Sequence, residues 1–136
     1  MKSHPQKRIV WDTGPLSLFF AGHSEAAQGM KQIKDGKTIG YIPQLVLIEL
    51  FYKTWQKFGK QTAQVRVLNL DFPGIVILGI QESERFKIGS LKVQYPQLSL
   101  VDCRVVQLGL QLNGIVYTTQ NGITEVAKLR TKKLIF

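Results

Sequence analysis

Short apolar runs alternate with longer mixed segments along the whole chain, and this alternation predicts strands separated by helices. The predicted strands cover residues 8–12, 39–42, 75–78, 115–118 and 134–136. The predicted helices begin near residue 16 and continue at about 24–34, 43–58, 61–69, 82–93, 100–112 and 122–129. The run Ile75–Leu78 shows no polar alternation, so we expect this strand to be buried on both faces, as in a parallel sheet.

Strands and helices that alternate in this way predict an α/β domain with a mostly parallel sheet of about five strands, covered by helices on both faces. The chain has 136 residues, which is the size of one ordinary domain and enough to bury a core. No repeat or linker interrupts the pattern. We therefore predict a single domain over residues 1–136.

Composition narrows the class of protein and excludes several kinds of site. Hydrophobic residues make up 44% and charged residues 20% of the chain, as in folded proteins. Cys103 is the only cysteine, which excludes a disulfide framework and a multi-cysteine zinc site. No Gly-rich nucleotide loop follows a strand. Because no long apolar segment or leader is present, we expect a cytoplasmic protein without a membrane anchor.

Charge leaves two interpretations open. The net charge is +9, from 18 basic and 9 acidic residues. Such a balance attracts nucleic-acid phosphates, but it is equally compatible with a solvated basic surface. Four residues near the C-terminus are candidate contacts to RNA phosphates: Lys128, Arg130, Lys132 and Lys133.

Two acids stand where a structural role does not fully explain them. Asp12 ends the first predicted strand, and parallel sheets bind ligands beyond the carboxyl ends of their strands. Its alternative role is a helix N-cap. Glu49 lies within a helix that is apolar on nearly every side, where an unpaired carboxylate is costly. Its alternative is to reach solvent or to pair with Lys53.

A third acid, Asp102, stands in the stretch Ser99-Leu-Val-Asp102, which matches a helix capping box. Capping alone explains such a residue. Three carboxylates gathered near one sheet edge, however, repel one another and tend to become protonated. A divalent cation removes that penalty, and all-oxygen ligands suit Mg²⁺ or Mn²⁺. Such a site supports metal-assisted hydrolysis of a phosphodiester.

The order of these motifs resembles that of the PIN-domain nucleases, particularly the VapC-like toxins of prokaryotic toxin–antitoxin pairs. The matching stretches are Ile9–Leu16, Pro43–Glu49, Leu98–Asp102 and Val116–Thr119. The resemblance implies a three-layer α/β/α sandwich and an Mg²⁺- or Mn²⁺-dependent endoribonuclease that a small antitoxin restrains. It also implies that Asp12, Glu49 and Asp102 are the first three acids of the catalytic metal site.

The family usually has a fourth acid after the last Thr of the strand motif, and this chain has Gln120 there, followed by Asn121. We hypothesise a single ion held by Asp12 and Asp102, while Glu49 ligates it or polarises the attacking water. Hydrogen bonds to the acids are expected from Thr13, Ser99 and Thr119. Glu125, the next acid along the chain, either reaches back to the site or pairs on the surface with Lys128 or Arg130.

The amide at position 120 leaves two functions open. The first is a toxin-type ribonuclease acting on RNA. The alternative is a weakened or inactive PIN domain that binds RNA or protein without cleaving. Large apolar residues on two predicted helices are expected to form an antitoxin groove or a homodimer face, and core packing is their alternative role: Phe19, Phe20, Phe51, Tyr52, Trp55 and Phe58.

Overall fold

A computed structural model describes residues 6–135 of the chain. The strands are β1 (Lys7–Trp11), β2 (Thr38–Pro43), β3 (Ile75–Leu78), β4 (Ile115–Thr118) and β5 (Arg130–Lys133). They form one sheet in the order β3-β2-β1-β4-β5, and every neighbouring pair is parallel. The predicted parallel sheet of about five strands is therefore confirmed.

Helices connect the strands and cover both faces of the sheet, as predicted for an α/β/α sandwich. They are α1 (Thr13–Phe20), α2 (Ser24–Lys34), α3 (Gln44–Phe58), α4 (Lys60–Asn69), α5 (Glu84–Gln94), α6 (Leu100–Leu112) and α7 (Asn121–Thr124). Within residues 6–135, no helix is long and apolar enough to cross a membrane.

The central strand β1 forms the middle of the core. Ile9, Val10 and Trp11 are fully buried, and Val10 lies opposite Tyr41 of β2 and Val116 of β4. A strand has to be apolar where both of its faces are covered, as β1 is from Ile9 to Trp11. Asp12, the residue that directly follows this strand, therefore lies deep in the protein.

The two edge strands differ from the sequence prediction. The last strand lies at 130–133 rather than at 134–136, and the helix predicted over 122–129 is the single turn α7. β5 reads Arg-Thr-Lys-Lys, because an edge strand that faces solvent needs no hydrophobic pattern. Phe136 lies outside the described residues. At the other edge, β3 is only half-buried and Val76 is 37% exposed, so the prediction of burial on both faces was wrong.

The carboxyl ends of the strands bring the candidate acids to one edge of the sheet. α1 follows β1 through Asp12, α3 begins after Pro43 of β2, and α7 begins after Gln120, just beyond β4. In a parallel sheet these ends lie on the same side. Glu49, in the second turn of α3, is therefore carried to the edge where β1 and β4 also end.

The helix α6 carries a buried polar network that the sequence pattern did not reveal. Residues 102–109 are all buried, because the sheet covers one side of α6 and α5 the other. Arg104 Nη1 donates to Glu84 Oε2 at 2.9 Å and to Gln107 Oε1 at 2.5 Å, while Nη2 donates to the Gly79 carbonyl at 2.9 Å. The network fixes α5 and the end of β3 against α6.

The charge of Glu84 depends on this network. Burial by itself would raise the pKa of Glu84, but the hydrogen bonds and charge of Arg104, together with bonds from Gln81 and Gln107, hold it below its usual value. Glu84 is therefore ionised in the folded protein, and removing Arg104 would leave an uncompensated charge in the interior.

Replacing Arg104 by Ala is expected to lower the free energy of unfolding by about 3–5 kcal/mol, the usual cost of breaking a buried ion pair. Urea denaturation at pH 7 measures this. Because the folded-state pKa of Glu84 is lowered, the stabilisation is fully present above the ordinary Glu pKa of about 4.3 and is lost as the pH falls below it. The difference between wild type and variant should shrink in acid.

The matched control is Arg85→Ala. Arg85 pairs with Glu82 at 3.2 Å on the surface, so its loss should cost less than about 1 kcal/mol. Equal losses in the two variants would contradict a stabilising role for the buried network.

Candidate active site

Asp12 is the residue on which the candidate site is built. It follows β1, caps α1 and is completely buried. Its Oδ1 accepts a hydrogen bond from the Thr13 backbone N–H, and its Oδ2 accepts one from the Thr118 hydroxyl, both at 2.8 Å. Its own N–H donates to the Tyr117 carbonyl at 3.0 Å, which continues the pairing of β1 with β4. Asp12 therefore has both the edge position and the capping role.

Asp102 reaches the same edge from the first turn of α6. The Asp102 N–H donates to Ser99 Oγ and the Ser99 N–H donates to Asp102 Oδ2, both at 3.1 Å, so the predicted capping box is present. The other carboxylate oxygen, Oδ1, accepts a hydrogen bond from Gln120 Nε2 at 3.2 Å. The position expected to hold a fourth acid thus contacts the third acid directly.

The two carboxylates keep acceptor capacity. Each of the four carboxylate oxygens of Asp12 and Asp102 accepts one of these hydrogen bonds from the protein. An ionised carboxylate oxygen can accept about two, so the protein donors leave each oxygen with unused acceptor capacity. The protein donors fix the planes of both carboxylates without exhausting them.

Glu49 lies within electrostatic reach of the other two acids. Its side chain is 13% exposed, and its Oε2 is 3.7 Å from Lys53 Nζ, so the alternative pairing is formed. Burial raises the pKa of Asp12 to about 6, with smaller contributions in the same direction from the charges of Asp102 and Glu49. The two hydrogen bonds to Asp12 oppose this shift. The charges of Asp102 and Glu49 therefore act on the buried Asp12.

Asp12, Asp102 and Glu49 are the oxygen ligands that this edge offers to a divalent cation. Within residues 6–135, no three His, Cys, Asp or Glu side chains stand at metal-ligand spacing. Asp12 and Asp102 nevertheless offer two carboxylates with free acceptor positions, and Mg²⁺ usually binds through one or two carboxylates while it keeps several waters. The residues present fit a partly hydrated hard cation held by these two acids.

The hydroxyl contacts differ from the sequence prediction by one residue. Thr13 contacts Asp12 through its backbone N–H, and its hydroxyl is buried without a hydrogen-bond partner. The hydroxyl that reaches Asp12 belongs to Thr118 rather than Thr119, since successive residues of a strand point to opposite faces. Thr119 packs against Gly14, where an added Cβ would overlap its side chain. The alternation of side chains along β4 could have identified Thr118, because Thr118 and Thr119 have to point to opposite faces of the sheet.

Asn121 and Glu125 stand apart from the acids. Asn121 Oδ1 accepts a hydrogen bond from Lys133 Nζ. Glu125 is exposed at the C-terminus of α7, and its charge is not among those that shift the pKa of Asp12. The fold therefore does not bring Glu125 into the acidic cluster.

The basic residues at the C-terminus are partly engaged with the protein. Arg130 donates to a backbone carbonyl after α6, and Lys132 forms an ion pair with α2 at 3.4 Å. Lys133 lies opposite Thr118 in the β4–β5 register, beside the acidic edge. Lys128 is exposed in the turn before β5.

Comparison with protein families gives one match that covers most of the chain. The family model for the PIN domain matches residues 9–129. No curated protein sequence matches the chain. The match begins within β1 and ends just before β5, so it includes all the acids described above.

Several solved structures share the fold. VapBC2 from Rickettsia felis, bound to a DNA fragment from its promoter, superposes with a TM-score of 0.74 at 16% identity over 93% of this chain and 98% of that chain. VapC20 from Mycobacterium tuberculosis, described as a Sarcin-Ricin loop cleaving toxin, gives 0.73 at 12% identity over 89% and 95%. DNA-bound VapBC from Salmonella typhimurium gives 0.70 at 11% identity over 94% and 98%.

Replacing Asp12 by Asn should stabilise the metal-free protein at neutral pH. The folded-state pKa of about 6 lies above the ordinary Asp pKa of about 3.9. The favourable contribution of the protonated acid is therefore fully present below pH 4 and is lost as the pH rises through 6. Above pH 6 the variant should gain up to about 3 kcal/mol over wild type.

Chemical denaturation in EDTA at pH 4 and pH 8 measures this difference. Asp71→Asn is the control, because Asp71 is exposed and should show no such gain. If the difference in unfolding free energy between Asp12→Asn and wild type is the same at pH 4 and pH 8, the prediction that burial disfavours the ionised form of Asp12 is wrong.

Proposed function

The chain belongs to the PIN domain family, and from this we propose that it is a metal-dependent endoribonuclease that hydrolyses RNA phosphodiester bonds as a VapC-like toxin. The observation that carries the proposal is the acidic edge of the sheet. There the buried Asp12 has its pKa raised to about 6 and lies within reach of the charges of Asp102 and Glu49. A site that disfavours its own negative charge is one that favours a cation.

Each acid is given a role that follows from its surroundings. Asp12 and Asp102 would hold Mg²⁺ or Mn²⁺, because their oxygens are oriented by protein donors and keep free acceptor positions. When bound, such an ion offsets the clustered negative charge and supplies Lewis-acid stabilisation to a phosphodiester. Glu49 lies nearer to solvent, where its carboxylate can accept a proton from the attacking water.

RNA would approach along the edge formed by β4 and β5. Lys133 lies opposite Thr118 in the pairing of β4 with β5, and the Thr118 hydroxyl donates to Asp12. Lys132 is about half exposed and also lies over the Tyr117 ring at 5.5 Å. Phosphate contacts from these side chains would position a strand without reading its sequence.

An antitoxin partner would fit a groove between α1, α2 and α4. The groove has a volume of about 470 Å³. Its apolar wall consists of Phe19, Phe20 and Phe72, and two cations stand over it: Lys34 lies 5.2 Å from the centre of the Phe72 ring and Arg66 lies 5.3 Å from that of Phe20. An apolar segment flanked by acidic residues matches this surface, and two of the solved structures of the same fold, from Rickettsia felis and Salmonella typhimurium, are VapBC toxin–antitoxin complexes.

The homodimer face expected from the large apolar residues stays a prediction. The helix α3 presents Ile48, Tyr52 and Trp55 on one exposed face, at the spacing of a single helical stripe. Phe51 is half-buried beside them and packs edge-on against Trp55. This stripe is compatible with a twofold contact between two copies of the chain.

The alternative function is a binding module that does not cleave. It is favoured by one observation: Gln120 Nε2 donates to Asp102 Oδ1, where the resemblance expects a further carboxylate. A missing negative charge weakens the hold on a divalent cation. Such a chain would bind RNA or a protein partner and show no metal-dependent hydrolysis.

Mn²⁺-dependent cleavage of a panel of labelled RNAs tests the proposal. Asp12→Asn and Asp102→Asn should each lower cleavage at least about 100-fold, and Glu49→Gln by about 10²–10⁴-fold if it acts as the base. Asp71→Asn, an exposed carboxylate away from the edge, should retain full activity. Cleavage that survives both Asp12→Asn and Asp102→Asn would contradict the assignment of these acids to the catalytic ion. A wild type that binds RNA without cleaving it would favour the non-cleaving binding module.

The groove is tested by reversing one of its charges. Lys34 is exposed, so Lys34→Glu should leave the fold intact while it weakens binding of an apolar peptide flanked by acidic residues. A loss of about tenfold is expected for a rim charge. The control is Lys87→Glu on α5, which is equally exposed and lies outside the groove. Equal affinities for the two variants would place the partner elsewhere.

A further inference from the structure

Gln120 is linked by hydrogen bonds to both of the acids that are assigned to the ion, directly to Asp102 and through Thr118 to Asp12. Its side-chain Nε2 donates to Asp102 Oδ1 at 3.2 Å. Its backbone N–H donates to Thr118 Oγ1 at 3.1 Å, and that hydroxyl in turn donates to Asp12 Oδ2 at 2.8 Å. One residue therefore connects the corner after β4 to the start of α6 and to the end of β1.

The direction of each hydrogen bond in this arrangement is fixed by chemistry. An ionised carboxylate only accepts, so the amide nitrogen of Gln120 has to face Asp102. The Thr118 hydroxyl has a single hydrogen, which it gives to Asp12, and one of its lone pairs receives the Gln120 N–H. Asp102 therefore receives a hydrogen from the Gln120 amide, and Asp12 receives one from the Thr118 hydroxyl that Gln120 holds in place.

We propose that Gln120 is a positioning residue that braces Asp12 and Asp102 against each other without adding charge, so that the site is preorganised for one divalent cation. This inference rests on the proposed function for the identity of the ligand. Two neighbouring carboxylates repel one another, and neutral donors that hold both in place offset part of that repulsion. The ion then meets oxygens that are already oriented.

A carboxylate at position 120 would act in the opposite way. It would remove the donor from Asp102 Oδ1 and add a negative charge at the same point. The metal-free site would be pushed apart, and its organisation would depend on the ion. The residue at this position therefore decides how much of the site exists before the ion binds.

Thermal melting in EDTA tests the brace in the metal-free protein. Gln120→Ala should lower Tm by about 2–5 °C, the effect of losing one hydrogen bond of an exposed side chain, worth about 0.5–1.5 kcal/mol, in a chain of this size. Gln120→Glu, which keeps the shape and adds a charge, should lower Tm further. Gln64→Ala is the matched control, because Gln64 is an exposed glutamine on α4, and it should melt like wild type.

Mn²⁺ binding, followed by the EPR signal of the free aqueous ion, tests preorganisation. Wild type should bind one Mn²⁺ per chain. Gln120→Ala should bind the same number of ions about 3- to 10-fold more weakly, because its acids are no longer held. Gln120→Glu should recover or exceed wild-type affinity, since its extra charge attracts the cation, and should gain more in Tm on addition of Mn²⁺. Gln64→Ala should bind as wild type does.

A Gln120→Ala protein that binds Mn²⁺ at least as tightly as wild type would overturn the proposal, whatever its Tm. Neither measurement involves RNA. A wild type that binds Mn²⁺ and shows the expected order of variants, yet cleaves no RNA, would therefore support the brace and contradict the proposed nuclease. A wild type that binds no Mn²⁺ would contradict both.

Discussion

A carboxylate buried at the end of the central strand is the constraint on which the candidate site depends. Asp12 is fully buried because β1 lies in the middle of a sheet with helices on both faces. Burial raises its pKa to about 6, and two hydrogen bonds offset only part of that shift. The fold therefore maintains an unfavourable negative charge at the edge, where either a proton or a cation relieves it. The burial of Asp12 in the core therefore favours binding of the cation that the proposed nuclease activity requires.

The helix α6 shows two ways of burying charged groups, and they have different consequences. Asp102 is held by its capping box and by the Gln120 amide, so its oxygens stay oriented and keep acceptor capacity. Arg104, two residues on, pairs through both terminal guanidinium nitrogens with Glu84, the Gln107 side chain and the Gly79 carbonyl. The Asp102 carboxylate therefore keeps the capacity to bind a ligand. Arg104 and Glu84 pair with each other instead, and their ion pair holds α5 against α6. The same helix thus carries a candidate site on one side and a structural anchor on the other.

Hydrophobic patterning located four of the five strands and misplaced β5 at the solvated edge of the sheet. The apolar runs of β1, β2 and β4 are required by a sheet covered on both faces, so they were visible in the sequence. β5 was misplaced because its Arg-Thr-Lys-Lys sequence carries no such pattern at a solvated edge. The burial of Arg104 was missed because a helix stripe does not show that a second layer, α5, closes over the polar side.

The sequence by itself determined which chemical groups stand at the ends of the elements: Asp12 after β1, the Ser99–Asp102 capping box at α6, and Gln120 in place of an acid after β4. Only the tertiary structure decided which atoms meet. Thr118 reaches Asp12 across 106 positions of the chain and Gln120 reaches Asp102 across 18, whereas Glu125 is left in solvent. Such contacts depend on strand register and on the packing of α6 against the sheet, and local sequence preferences encode neither.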